Sequence, residues 1–212
     1  MPSSGAIVEG LRAIANGALA VAGVWHVALV AVCVALIRGW RPSRRLAAAL
    51  LAAPVVSVAA FAFRFGNPFN GIVFAVLALA MLALAARLGR RPVERGTPAM
   101  TLAASFLIAF AWVYPHFLEQ RSPVLYLAAA PVGLIPCPTL ALVIGLTLLA
   151  GGFGSRAWSL LLVAAGLFYG IVGVARLGVA LDVALAAGAL CLLALGSRAR
   201  HAGTRSLEGS SS

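Results

Sequence analysis

Asp182, Cys137, His26 and His116 are the side chains of this sequence best equipped for chemistry. Each lies in or beside an apolar stretch, where an ionisable group costs about 2.5–3.5 kcal/mol on insertion scales and faces a protein interior or a wet cavity. Asp182 has two readings: a structural ion pair with Arg176, with Arg64 as the competing partner, or a substrate- or proton-linked carboxylate. His26 reads as an interhelical hydrogen bond or as a proton relay. Cys137, set in Pro136-Cys137-Pro138-Thr139, reads as a thiolate nucleophile or, with His116 and Glu119, as a soft-metal site for an ion such as Hg²⁺ or Cu⁺. His26 and His116 on separate helices are also the pair from which a b-type haem clasp would be built. The sequence contains no CxxC, CxxCH, HExxH or Walker-type GKS/T, so dithiol, c-haem, zincin and nucleotide chemistry have no local support. No cofactor is expected, and His116 and Cys137 are the nearest approach to a metal site. Cys33 and Cys191 read as reduced thiols acting as small hydrophobes.

The elements that position these groups are set by composition. The chain has 212 residues, 63% hydrophobic and 10% charged, with no lysine. Such a chain has too much apolar surface to hide from water as a soluble domain, so an all-α polytopic membrane bundle is expected. Its net charge of +11 comes from arginines flanking apolar stretches, which fits anionic lipid headgroups and not nucleic acid. Seven helices bring retinal to mind, but its Schiff base needs a lysine, and retinal is excluded.

About seven spans are expected, with six as the alternative: Asn16–Ile37, Leu46–Phe63, Gly71–Leu88, Met100–Phe117, Thr139–Phe153, Trp158–Val174 and Val179–Leu195. The gaps between them alternate in arginine content. Arg38, Arg41, Arg44, Arg45, Arg87, Arg90, Arg91, Arg95, Arg156, Arg198, Arg200 and Arg205 fall on one side, and Arg12, Arg64, Arg121 and Arg176 on the other. The positive-inside rule then expects a bacterial inner-membrane protein with its N-terminus outside and its C-terminus in the cytoplasm. Residues 1–206 read as one bundle, and Leu207–Ser212 as a cloning scar. Met1–Leu11 lacks the basic and apolar regions of a cleavable signal peptide. Trp40-Arg41-Pro42 and Arg90-Arg91-Pro92 are too short to establish an internal repeat.

On this topology the polar residues gather in the outer half: Asn16, Arg64, Asn67, Asn70, Tyr114, His116, Glu119, Cys137, Thr139, Arg176 and Asp182, with His26 deeper. The i, i+3 spacing of Arg64, Asn67 and Asn70 places them on one face if that turn is helical. Arg121–Pro138 is apolar but carries Pro123, Pro131, Pro136 and Pro138, so it is too broken to span. It is expected to form a re-entrant or interfacial segment, backed by protein or a water-filled cavity, with Thr139 in the first turn of the next helix, where an anion or thiolate is favoured. A packed lid without ligand is the competing reading.

The order Asn16…Trp25, Asn67-Pro68, Tyr114-Pro115, Gly133-Leu-Ile-Pro-Cys-Pro-Thr139 and Gly145-Leu-Thr-Leu-Leu149, then Trp158 through Gly170-Ile-Val-Gly173 to Asp182, resembles a bacterial multi-pass membrane family, domain-of-unknown-function family 6064. The resemblance covers nearly the whole chain and implies a membrane location without assigned chemistry. Where the family carries an aromatic–His pair in the second span this chain has Ala60-Phe61, so no shared metal or haem role is implied. The expected function is a transporter or channel for a small solute or ion with an outward polar vestibule. The alternatives are a membrane enzyme or redox protein using Cys137, and a non-catalytic subunit or sensor. A homo-oligomer is compatible with each.

Overall fold

Serine, threonine and asparagine side chains start most of the helices. Ser43, Thr97 and Ser155 each accept a hydrogen bond from the backbone N–H three residues on, at Leu46, Met100 and Trp158, and the Asn67 amide does the same for Asn70. Proline occupies the first helical turn at Pro68, Pro98, Pro123 and Pro136, where its missing donor costs nothing. The computed structural model describes residues 3–119 and 122–208, with side chains through residue 195. Among the described residues it is all-helical: α1 (Ser4–Gly17), α2 (Leu19–Ile37), α3 (Arg44–Arg64), α4 (Pro68–Arg87), α5 (Pro98–Val113), α6 (Pro123–Ala129), α7 (Pro136–Leu149), α8 (Arg156–Ala175) and α9 (Val183–Glu208). Two 3₁₀ turns, Gly151–Gly154 and Ala180–Asp182, precede α8 and α9.

Four helices, α2, α3, α4 and α8, are long and apolar enough to cross a membrane; α5, α7 and the stretch Ala180–Leu195 are apolar but shorter. Every expected span has a helix at its place, with boundaries moved in the first, fourth, fifth and seventh; the seventh starts at Val183, after the Ala180–Asp182 turn, and α9 runs on past Leu195 to Glu208. The first expected span breaks at Ala18 (φ −132°), where the short helix α1 ends. α1 buries Leu11, Ile14 and Ala15 and exposes Glu9, Arg12 and Ala13. α5 stops at Val113 and not Phe117, because Tyr114 precedes a proline and leaves the helical region. α7 starts at Pro136, one turn before Thr139, and ends at Leu149. There Gly151, Gly152, Phe153 and Gly154 all take positive φ and reverse the chain.

Hydrogen bonds identify two ends. At one, the Arg-rich loops are knitted together: Val93 N–H donates to Pro42, Arg44 N–H to Arg91 and Gly96 N–H to Leu149. Ser43 and Pro92 form an isolated β-bridge, so the two Arg-Pro loops pair with each other. The polar residues gather at the opposite end. The side chains of Arg198, Arg200 and Arg205, residue Arg121, and residues 209–212 of the expected scar lie outside the described residues, while Leu207 and Glu208 continue α9. α3 packs along α4, α5 along α7 and α8 along α9. α7 occupies the centre, touching α3, α5, α8 and α9, with every residue from Pro136 to Gly145 buried.

Candidate functional site

Asp182 is the centre of the polar end. Its 3₁₀ turn hangs from the end of α8, where Val179 N–H donates to Gly173 C=O at 2.9 Å, and folds the carboxylate inward until Asp182 is 1% exposed. Gly173 permits this approach: a Cβ there would collide with the Asp182 carboxylate. Two donors from two other elements converge on the two oxygens. Tyr114 O–H, at the end of α5, donates to Oδ1 at 2.7 Å, and Cys137 S–H, in the first turn of α7, donates to Oδ2 at 3.1 Å. The hydrogen bonds that Asp182 receives thus come from a phenol and a thiol, not from an arginine. Arg64 and Arg176 are both exposed.

The Pro-rich segment supplies the floor of this node. α6 is a half-exposed single helix of seven residues, after which residues 130–135 run buried into α7. Buried irregular backbone must find partners. Thr139, itself fully buried, provides them by donating to Ile135 C=O at 2.7 Å and accepting from Gly133 N–H at 2.8 Å. Gly133 (φ +74°) lies directly against the Trp25 indole, which would overlap any Cβ. Thr139 therefore serves the backbone before its helix, and Cys137, not Thr139, offers its side chain to an anionic group. Beside the node, Tyr169 O–H donates to Asn70 Oδ1 at 2.9 Å. Asn67, the N-cap of α4, accepts from Asn70 N–H, and the turn at Phe65-Gly66 (φ +71° at Gly66) separates them from Arg64, so Arg64, Asn67 and Asn70 do not share one helical face.

His26 makes the interhelical bond. Its Nδ1 lies 2.9 Å from Ala22 C=O and its Nε2 3.0 Å from Trp112 C=O on α5. Both partners only accept, so a neutral ring, with one N–H, satisfies one of them, and the doubly protonated ring satisfies both. The Trp112 ring stands edge-on to His26 at 4.9 Å and donates its own N–H to Leu127 C=O in α6. Asn16 ties α1 to the loop after α5: its amide donates to Arg12 C=O and Phe117 C=O and accepts from Glu119 N–H. These bonds hold Phe117 at φ +73°. Glu119 enters by its backbone; its side chain is exposed. His116, beyond the end of α5, is half-buried, and its imidazole is held below the ordinary histidine range, first by burial and then by the Arg12 guanidinium.

The structure thus brings Tyr114, Cys137 and Asp182 into one bonded node, with Asn70 and Thr139 in their own buried bonds nearby. Asn16, Asn67, His116 and Glu119 lie around the same end, and His26 is deeper on α2. Among the described residues, no group of three or more His, Cys, Asp or Glu side chains is placed to hold a metal ion. Tyr114, Cys137 and Asp182 are packed against one another and buried, whereas Arg64, Glu119 and Arg176 are exposed; a cavity of about 560 Å³ lies toward the Arg-rich end and is lined by none of these residues. Tyr169 and Trp112 were not singled out by sequence, and Trp25 and Gly173 entered only through the family resemblance. Gly170-Ile-Val-Gly173, on the turn facing Asp182, was the available signal for Gly173. Aromatic residues in apolar helices give no such signal. No protein-family model, no curated protein and no solved structure matches the chain.

Proposed function

We propose that this chain is a seven-span protein of the bacterial inner membrane, with its N-terminus outside and its Arg-rich loops in the cytoplasm, that moves a small solute or ion in step with a proton at Asp182. The supporting observation is the convergence of Tyr114 and Cys137 on the Asp182 carboxylate at the buried start of α7. An ionised carboxylate accepts both donors. Once protonated, one oxygen carries a donor of its own and accepts less well, so the bond it makes to Tyr114 or Cys137 weakens or reverses. That bond joins α5 or α7 to the turn between α8 and α9, so a proton on Asp182 changes how three elements hold each other. Helices that begin inside the bundle beside an ionisable group are how secondary transporters build binding sites. In this reading the node closes the outer path, and loosening it admits solute. The resemblance to family 6064 through Pro136-Cys137-Pro138-Thr139 belongs to the same proposal and adds no chemistry.

The observations favour transport over a thiolate enzyme, since Cys137 is buried and directs its proton to Asp182. The test is proton movement in proteoliposomes loaded with a pH-sensitive dye and challenged with a panel of amino acids, sugars, carboxylates and metal ions. At least one solute is expected to move protons with the wild-type protein and none with Asp182→Asn. Equal responses from both proteins, or none across the panel from wild type, would overturn the reading.

A further inference from the structure

We propose that the groove between α2 and the rest of the bundle holds one acyl chain of an anionic phospholipid, with its phosphate at Arg41 and Arg95. The groove has a volume of about 560 Å³, within the range of roughly 300–1,000 Å³ typical of small-molecule sites. Leu29, Val32 and Leu36 of α2 form one wall, and Leu51 of α3 with Leu142 and Leu146 of α7 the other. It exists because α2 packs against α1 and α6 and not along α3. α2 is fastened in the half nearer its N-terminus, where Trp25 N–H donates to Ser57 Oγ at 3.1 Å and His26 meets Trp112 C=O. Below these ties it stands off.

The mouth of the groove differs in kind. It is lined by Arg41, Glu94 and Arg95 beside Trp40, which is 39% exposed. Trp at such a position marks the headgroup level of a bilayer. The Glu94 carboxylate is already neutralised by Arg44, at 2.6 Å. Arg41 and Arg95 are both exposed and bring the positive charge to the rim. An apolar slot ending in two guanidinium groups complements a molecule with a hydrocarbon chain and an anionic head, and guanidinium pairs well with phosphate. The bilayer offers such molecules directly to the open side of the slot. This inference rests on membrane residence with the Arg-rich end at an anionic leaflet; it does not depend on transport.

The full chain would be placed in nanodiscs of equimolar phosphatidylglycerol and phosphatidylcholine, extracted into mild detergent, and its retained lipid counted by native mass spectrometry. Wild type is expected to retain one phosphatidylglycerol. Arg41→Gln and Arg95→Gln should each lower that preference about 5-fold and together about 30-fold, at about 1 kcal/mol per arginine near a charged surface. Ala28→Trp, filling the slot from α2, should remove retention of both lipids. Equal retention of the two lipids by wild type, undiminished phosphatidylglycerol in the arginine double variant, or a free fatty acid in its place would each overturn the proposal. Failure of the protein to enter nanodiscs at all would instead refute membrane residence, and the lipid site with it.

Discussion

At Asp182, two donors of unequal strength meet one carboxylate in a place water does not reach, and this asymmetry makes the residue testable. Asp182→Asn keeps the shape but turns an NH₂ toward either Tyr114 or Cys137, each of which is already a donor. Leaving such a buried group unsatisfied costs about 1–3 kcal/mol, so thermal unfolding in detergent should show a lowered midpoint. Tyr114→Phe should lower the midpoint as well, and the double variant should lose less than the sum of the two single changes, because both act on one bond. Strictly additive losses would argue against the bond between them. Gly173→Ala is predicted to be worse than either, since its methyl enters the space of the carboxylate. The measurement is the yield of monodisperse protein. The carboxylate was legible in the sequence as an ionisable group in an apolar helix. Its partners were not, because charge complementarity pointed to Arg176 and Arg64, whereas the fold delivers neutral donors from α5 and α7.

Elements hold the node through two ties that the sequence placed but did not connect. The proline run before α7 was legible as a broken, buried segment, because four prolines cannot be hidden in a span. The role of Thr139 in closing its backbone depends on a turn of positive φ at Gly133, which spacing alone does not reveal. Thr139→Val keeps the volume and removes both bonds, leaving Gly133 N–H and Ile135 C=O buried without that partner. A loss of about 1–3 kcal/mol is expected, readable as a lowered unfolding midpoint, while an unchanged midpoint would show that other groups satisfy the segment. The tie from α2 to α5 is His26. His26→Gln places an amide donor near the Nε2 position and should retain the bond to Trp112, whereas His26→Leu loses it. Membrane hydrogen bonds average about 0.6 kcal/mol with a maximum near 1.7, so a difference of that size between the two variants is predicted.

Across the whole molecule, the alternation of arginine-rich and arginine-poor gaps anticipated which loops share an end, and the hydrogen bonds among residues 42–44, 91–96 and 149 join them there. The separate helix α1 escaped notice because its apolar stripe, Leu11, Ile14 and Ala15, is short and runs into the long apolar stretch of α2. Cys137, buried in its node, is a poor reporter of topology, while Glu119 and Arg90 are exposed at opposite ends. In a Cys33→Ala/Cys191→Ala background, Glu119→Cys should react in intact cells with a membrane-impermeant maleimide and Arg90→Cys should not; the reverse pattern would invert the topology. If a proton on Asp182 loosens the bonds joining α5, α7 and the turn before α9, infrared difference spectroscopy of the protein in nanodiscs across a pH step should show a carboxylic C=O band that vanishes in Asp182→Asn, accompanied by a tyrosine ring shift that vanishes in Tyr114→Phe. An Asp182 band that appears with no tyrosine shift and no change in the Cys137 S–H band would contradict that loosening.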